Sequence, residues 1–213
     1  MELKELQQRS WKTADEHGWH DKERSVGDRI ALAHSEISEA YDAFETHRLK
    51  EWFREDGKPE GFYYEIADAW IRLADTCGEL DIELQSAVCR RMYILAPSGL
   101  MLPTPNTVTN LHIAAYNMNG LYSGVESRLD RERRVERGIN IAHLNLSNAL
   151  EAYRSDGLSF TTDGKYGFRH MIAQVFIDLA DLVMDLGTDL TTYLEDKMEF
   201  NEGRSFRHGD KNL

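Results

Sequence analysis

Two pairs of acidic residues in the first half of the chain have the spacing and the chemistry of a metal site. The first pair is Glu36 and Glu39, and the second is Glu65 and Asp68. Residues three apart lie on the same side of a helix, so each pair can present two carboxylates in one direction. Clustered carboxylates repel one another unless a cation joins them, and Mg²⁺ prefers oxygen ligands of this kind. The pairs therefore predict a site for Mg²⁺, with Mn²⁺ as a possible substitute.

The second half of the chain repeats both segments without their acids. Residues 34–44 match residues 143–153, and residues 65–77 match residues 171–183. The apolar positions are kept in both copies. In the second copy the four acids are replaced, in order, by Asn145, Asn148, Met171 and Gln174. Scattered surface drift would not remove the four together, so the comparison indicates that they share one role.

An ordinary solvated helix face is the alternative explanation for these acids. Two acids three apart more often face water than bind a metal, and the stripe Glu65, Asp68, Arg72, Asp75 and Glu79 is typical of a wet helix face. Asp75, however, is retained in the second half as Asp181. Because Asp75 is retained while the four acids are lost, the comparison favours the metal site.

A set of cationic and amide side chains near the end of the chain occurs in the second half and is mostly absent from the first, which is the opposite of the four acids. Lys197, Asn201 and Arg204 are spaced four and three apart and share one helix face, and Arg207 follows them. The first half carries different residues at the three matching positions: Arg91, Leu95 and Ser98. Cations at a helix C-terminus can simply complement its dipole, but that accounts for one of them and not for the set. Arg and Lys bind phosphate oxygens, so the halves predict a composite site.

The bulk composition restricts the classes of function. A net charge of −12 disfavours binding to a nucleic-acid backbone, which relies on clustered Lys and Arg. No apolar run is long enough to span a bilayer, and the first residues contain no apolar signal core. The two cysteines, Cys77 and Cys89, lack metal-type spacing, which is typical of a reduced chain. We therefore expect a cytoplasmic protein with no membrane partner.

Apolar residues recur at spacings of three and four almost throughout, which predicts an all-α fold. Each half has about 90 residues, a marginal size for an independent core, so we expect two four-helix repeats packed as an internal pseudo-dimer bundle. The first repeat spans 1–95, a proline-containing linker spans 96–107, and the second repeat spans 108–213. Loops are expected at 55–61 and 155–164, with Asp81 and Thr188 as caps of the last helices. The predicted helices are 2–17, 27–49, 61–78, 81–94, 108–120, 131–154, 166–186 and 188–203.

These motifs resemble the MazG-like all-α nucleoside triphosphate pyrophosphohydrolases, which are related to the dimeric dUTPases. That superfamily carries a Glu-x-x-Glu pair followed by Glu-x-x-Asp, here Glu36-Ile-Ser-Glu39 and Glu65-Ile-Ala-Asp68. Residues 197–209 resemble its C-terminal motif, and the likeness extends over both halves. The chain departs from the pattern at Ser35, where the superfamily often has an acid, and its first half lacks a cationic tail of its own.

The resemblance implies hydrolysis between the α and β phosphates of a (d)NTP, giving a (d)NMP and pyrophosphate. It implies that Mg²⁺ held by the four acids activates a water, with one glutamate, here taken as Glu39, orienting or deprotonating that water. The side chains expected to contact the nucleotide are Lys197, Asn201, Arg204, Arg207, Lys58 and Trp19. For Trp19, helix packing is the alternative to base stacking.

Single-repeat members of the superfamily assemble from identical subunits, so this chain resembles a fused dimer that has kept one site. His34 and His143 occupy matching positions, which favours a structural role at the interface between the copies over catalysis. A homodimer of pseudo-dimers is left open. Two other functions are also left open: a non-catalytic nucleotide sensor on the same bundle, and a structural helical protein whose acidic faces are solvated.

Overall fold

A computed structural model gives the structure of residues 1–96, 102–120, 131–162 and 165–206. Eight α-helices lie in these residues, which confirms the all-α prediction, and every predicted helix end agrees within three residues. None of these helices is long and apolar enough to cross a membrane. The helices are α1 (Leu3–Glu16), α2 (Val26–His47), α3 (Phe62–Glu79), α4 (Leu84–Leu95), α5 (Val108–Gly120), α6 (Arg131–Asp156), α7 (Phe168–Asp185) and α8 (Thr191–Glu202).

A short antiparallel hairpin precedes the third helix of each half. In the first, β1 (Trp52–Phe53) pairs with β2 (Pro59–Glu60), and in the second, β3 (Thr161–Thr162) pairs with β4 (Lys165–Tyr166). The prediction of plain loops at these places was incomplete, because two-residue strands are too short to show an alternating pattern. The first hairpin enters α3 through Gly61, whose φ of 131° other residues rarely adopt.

The predicted helix caps Asp81 and Thr188 are wrong. Glu83 is the N-cap of α4, and its side chain accepts a hydrogen bond from the first turn of that helix. At the start of α8, Asp189 accepts a hydrogen bond of 2.8 Å from a backbone N–H. Asp81 instead has a positive φ of 53° in the turn before α4. Both helices begin later than predicted because the turns before them are longer.

Buried apolar side chains from all eight helices form one cluster. At its centre, Trp70 of α3 and Phe176 of α7 are fully buried, and their ring centroids lie 4.9 Å apart. Helix α1 packs on α3, and α5 packs on α7. Helices α2 and α6 lie antiparallel, since His34 contacts His143 midway and the C-cap residue of α2 reaches Glu132 near the start of α6. The third helix of each half is thereby enclosed by the others.

The last helix of each half packs on the third helix of the other half: α4 contacts α7, and α8 contacts α3. The N-terminus joins this arrangement, because the Leu3 N–H donates to the carbonyl oxygen of Asn106 at the end of the predicted linker. Residues 97–101 of that linker lie outside the described residues. The crossed packing matters for chemistry, because it brings the cationic face of α8 to the acidic face of α3.

Candidate metal and phosphate site

Helices α2 and α3 bring three of the four predicted acids together. Oxygens of Glu36, Glu65 and Asp68 all lie within 4.8 Å of one another. Glu36 and Glu65 are buried, at 7% and 3% exposure, whereas Asp68 is partly open to a cleft. Fully buried alanines on both helices, such as Ala40 and Ala69, leave room for the two backbones to approach closely.

Two cations of the chain contact this acidic cluster of Glu36, Glu65 and Asp68. The Nε–H of Arg72, one turn after Asp68 on α3, donates to an oxygen of Glu36. The Nζ of Lys197 on α8 lies 2.7 Å from Asp68 Oδ2 and 3.4 Å from Glu65 Oε1. The Lys197 side chain is 1% exposed. This predicted phosphate-binding residue therefore lies on the acids, behind the wall of the cleft.

The protonation of the cluster reflects its burial. Burial raises the pKa of Glu65 to about 8, although the nearby Lys197 opposes the shift. Burial also raises the pKa of Glu36, against the opposing charge of Arg72. The Oε2 atom of Glu65 is buried and accepts no hydrogen bond from a donor in the described residues, and a hydrogen bond with the neighbouring carboxyl of Glu60 also raises the pKa of Glu65. Carboxyl oxygens that are close, buried and incompletely satisfied are suitable ligands for a cation.

The distances between the carboxylate oxygens of the cluster are close to those that one divalent ion requires. Two oxygens held by the same Mg²⁺ at about 2.1 Å lie at most about 4.2 Å apart, so a small contraction of the cluster is sufficient. Mg²⁺ also retains several waters and binds phosphate oxygens, which needs an open side. The partial exposure of Asp68 supplies that side. The residues present therefore fit the expected ion.

The cluster adjoins a cleft with a volume of 890 Å³, a size typical of sites for small molecules. The cleft extends from the end of α1 past α2 and α3 to the end of α8. Seven of the predicted site residues line it: Trp19, Glu36, Glu39, Lys58, Asp68, Asn201 and Arg204. Glu65 and Lys197 lie behind its wall, and Arg207 lies outside the described residues.

Glu39 lies in the cleft but apart from the other three acids. Its side chain is exposed, and one oxygen accepts a hydrogen bond of 3.2 Å from the Ser35 hydroxyl. The structure thus gives Ser35, the departure from the superfamily pattern, a contact with this carboxylate. The assigned roles of Glu39, as a metal ligand and as the group that handles the water, stay predictions.

Several further cations, which the sequence patterns did not predict, line the same cleft. Lys22 and Arg24 come from the segment before α2, Arg54 comes from the first hairpin, and Arg72 comes from α3. The guanidinium of Arg24 lies 5.4 Å from the ring centroid of Trp19. One signal could have identified Arg72, because the matching residue of the second half, Asp178, has the opposite charge. Together with Lys58 and Arg204, these cations offset the acids that line the same cleft.

The residues that follow α8 are held beside the cleft by contacts with the residues that follow α1. The imidazole Nε2 of His17 lies 2.8 Å from the carbonyl oxygen of Arg204. The ring of Phe206 covers Gly18, where a Cβ atom would lie 2.3 Å from a ring carbon and where φ is 73°. Only glycine suits both the close approach and the backbone angle at this position. These contacts hold Arg204 at the cleft.

At the matching positions of the second half, the side chains form hydrogen bonds with one another. Asn145 and Gln174 donate to the two oxygens of Asp178 at 2.6 and 2.7 Å. Arg91, at the position that matches Lys197, donates to Gln174 at 2.6 Å. Burial raises the pKa of Asp178 to about 6. This second network has amides in place of two of the carboxylates, and both amides already donate to Asp178. It is therefore unsuited to a divalent ion.

One other group of potential ligands occurs in the described residues: His20, Asp75 and Glu79. The His20 ring lies 2.9 Å from Asp75, and Arg29 pairs with Glu79. We assign no ion to them, because Asp75 is retained as Asp181 in the half that has lost the acids of the cluster.

No protein-family model, no curated protein and no solved structure matches this chain. The likeness to the MazG-like superfamily therefore stays a prediction. The functional conclusion depends on the geometry of the cluster and the cleft.

Proposed function

We propose that this chain is a Mg²⁺-dependent nucleoside triphosphate pyrophosphohydrolase of the MazG-like type. The observation that carries the proposal is a three-carboxylate cluster beside a cleft that is lined by cations from the residues after α8, the first hairpin and the segment before α2. A metal-bound polyphosphate needs both: oxygen ligands for its ion and cations for its remaining phosphate charge. Cleavage between the α and β phosphates would give a nucleoside monophosphate and pyrophosphate.

Each element of the cleft then has a task. Glu36, Glu65 and Asp68 hold the ion, with Glu39 as the fourth candidate ligand. The bound ion supplies neutralisation of phosphate charge and a more acidic water. Glu39, which is exposed in the cleft, orients the attacking water and accepts its proton.

The phosphates and the nucleoside occupy the remainder of the cleft. Arg204, Asn201 and Lys58 line the cleft and bind phosphate oxygens, with Lys58 exchanging its present contact of 2.9 Å with Glu60 for the phosphate. Trp19 offers an aromatic face for the base. Ser10 also lines the cleft, and its buried hydroxyl, in a side chain with 3% exposure, has no hydrogen-bond partner in the described residues. A base edge can supply that partner.

We also infer that the two halves are copies of one four-helix unit packed about a pseudo-twofold axis. Residues at matching positions meet each other: the Nδ1 atoms of His34 and His143 lie 2.6 Å apart, and Trp70 contacts Phe176. The exchange of last helices, α4 onto α7 and α8 onto α3, has the same symmetry. This arrangement explains why acids from one copy face cations from the other in a single site.

A panel of (d)NTPs with Mg²⁺, scored for pyrophosphate release, tests the function. We expect turnover of at least one nucleotide, formation of its monophosphate, and loss of activity in EDTA. Binding of nucleotides without turnover of any of them would identify a sensor instead. Neither binding nor turnover would favour a structural helical protein.

Replacing Arg204 with alanine should raise KM about 10- to 100-fold, because a hydrogen bond to a charged group typically contributes about 1.5–3 kcal/mol. We expect kcat to change much less, since the guanidinium lies at the mouth of the cleft and not on the cluster. Steady-state kinetics on the best nucleotide measures both constants. Arg154→Ala is the control, because within the described parts of the chain that exposed side chain pairs only with its helix neighbour Glu151. An unchanged KM in Arg204→Ala would contradict the assigned role.

A further inference from the structure

The ammonium group of Lys197 lies where the proposed ion must bind. It contacts oxygens of two of the three clustered acids, at 2.7 Å from Asp68 and 3.4 Å from Glu65. With 1% exposure, it cannot reach a phosphate in the cleft from this position. Its neighbour Met198 is 3% exposed, so this part of α8 is firmly packed. The ammonium and a divalent ion would compete for the same oxygens.

The charges of the cluster support an exchange between the two cations. Three carboxylates, Glu36, Glu65 and Asp68, face two chain cations, Arg72 and Lys197. An added divalent ion would compete with both chain cations for the oxygens of these three acids. Like charges in a site with little water repel strongly. Lys197 is the one to leave, because its single point charge sits on a flexible four-carbon stem.

The second half shows the same contact without the acids. Arg91 is held by Gln174 at the positions that match Lys197 and Asp68. In both halves, therefore, a cation of the last helix of the other half contacts the same position of the third helix: Lys197 contacts Asp68, and Arg91 contacts Gln174. This common feature indicates a role in holding the site together that is separate from contact with substrate.

We propose that Lys197 is a built-in counter-cation that keeps the acids assembled in the metal-free protein and is replaced by the metal ion. Lys197 thereby sets the metal affinity of the cluster, and its release lets the ammonium turn towards phosphates in the cleft. The inference rests on the metal site of the proposed function and assigns that site a positioning residue.

Isothermal titration of the full chain with Mg²⁺ and Mn²⁺, without nucleotide, tests the exchange. Lys197→Met removes the charge and keeps a buried apolar stem. We expect it to bind either ion about 10-fold more tightly than the wild type, within the 5- to 150-fold range typical of coupled sites. Its metal-free Tm should fall, and the increase in Tm on adding metal should grow. Lys197→Arg, which retains the charge, should keep the weaker affinity.

Two further variants make the outcome decisive. Lys12→Met is the matched control for lost positive charge, because Lys12 is exposed on α1 and pairs with Glu16. Lys197→Gln, which can still donate to Asp68, replaces Lys197→Met if the latter does not fold. Unchanged or weaker metal affinity in folded Lys197→Met or Lys197→Gln, beside a wild type that binds metal, overturns the exchange and leaves the proposed function standing. Absence of metal binding in wild type and variants alike overturns both.

Discussion

Replacing Asp68 with asparagine is expected to reduce pyrophosphate release by more than about 100-fold, the upper range found for the outer partners of metal ligands. Asp68 is the member of the acidic cluster that opens on the cleft, so its oxygens belong to both the proposed ion site and the substrate space. Asparagine keeps the shape and an oxygen that can accept from Lys197, and the helical fold should therefore remain. Turnover and circular dichroism of the purified variant measure the two expectations.

Two further variants serve as comparisons for Asp68→Asn. Asp42→Asn makes the same chemical change on the exposed surface of α2 and should leave turnover unaltered. Glu39→Gln should also lose turnover but retain more metal affinity than Asp68→Asn, because Glu39 lies outside the three-carboxylate cluster. Full activity in Asp68→Asn would contradict the proposed site.

The acids of the cluster could be predicted because the sequence contains its own comparison. The loss of Glu36, Glu65 and Asp68 in a copy that keeps the apolar positions separates them from ordinary surface acids. Glu39 lies outside this cluster, and its metal role stays a prediction. A step of three residues turns a helix by about 300°, so Glu39 lies about 60° from Glu36 around the axis. Glu36 is consequently buried, whereas Glu39 is exposed.

The position of Lys197 could not be predicted from local pattern. Its contact with Asp68 depends on α8 crossing onto α3 of the other half, which is a property of tertiary packing. Arg72 was missed for a related reason: a polar stripe does not reveal which of its members meets the neighbouring helix. Helix positions were accessible because the apolar period is local, whereas each hairpin has strands of only two residues.

Replacing Glu65 with methionine, the residue at the matching position 171, is expected to stabilise the metal-free protein at pH 8 and to abolish metal binding. Because burial raises the pKa of Glu65 to about 8, the folded state favours the protonated carboxyl, whereas the unfolded state ionises at ordinary acidic pH. The folded state therefore holds more protons between about pH 5 and pH 8, and the free energy of unfolding falls as pH rises through that range. The decline can reach about 4 kcal/mol.

Urea unfolding in EDTA at pH 5.5 and pH 8 measures this decline. The wild type should lose stability between the two, and Glu65→Met should lose less, because one buried carboxyl with a raised pKa is gone while Glu36 and Asp178 still contribute. Glu45→Met, on the exposed face of α2, should keep the wild-type difference. Added Mg²⁺ should stabilise the wild type at pH 8 and leave Glu65→Met unchanged. A variant that declines as steeply as the wild type would mean that Glu65 is not the group that opposes folding at high pH. The expected result, a more stable protein that no longer binds the ion, would explain why the second half could accept Met171 once its own site was no longer needed.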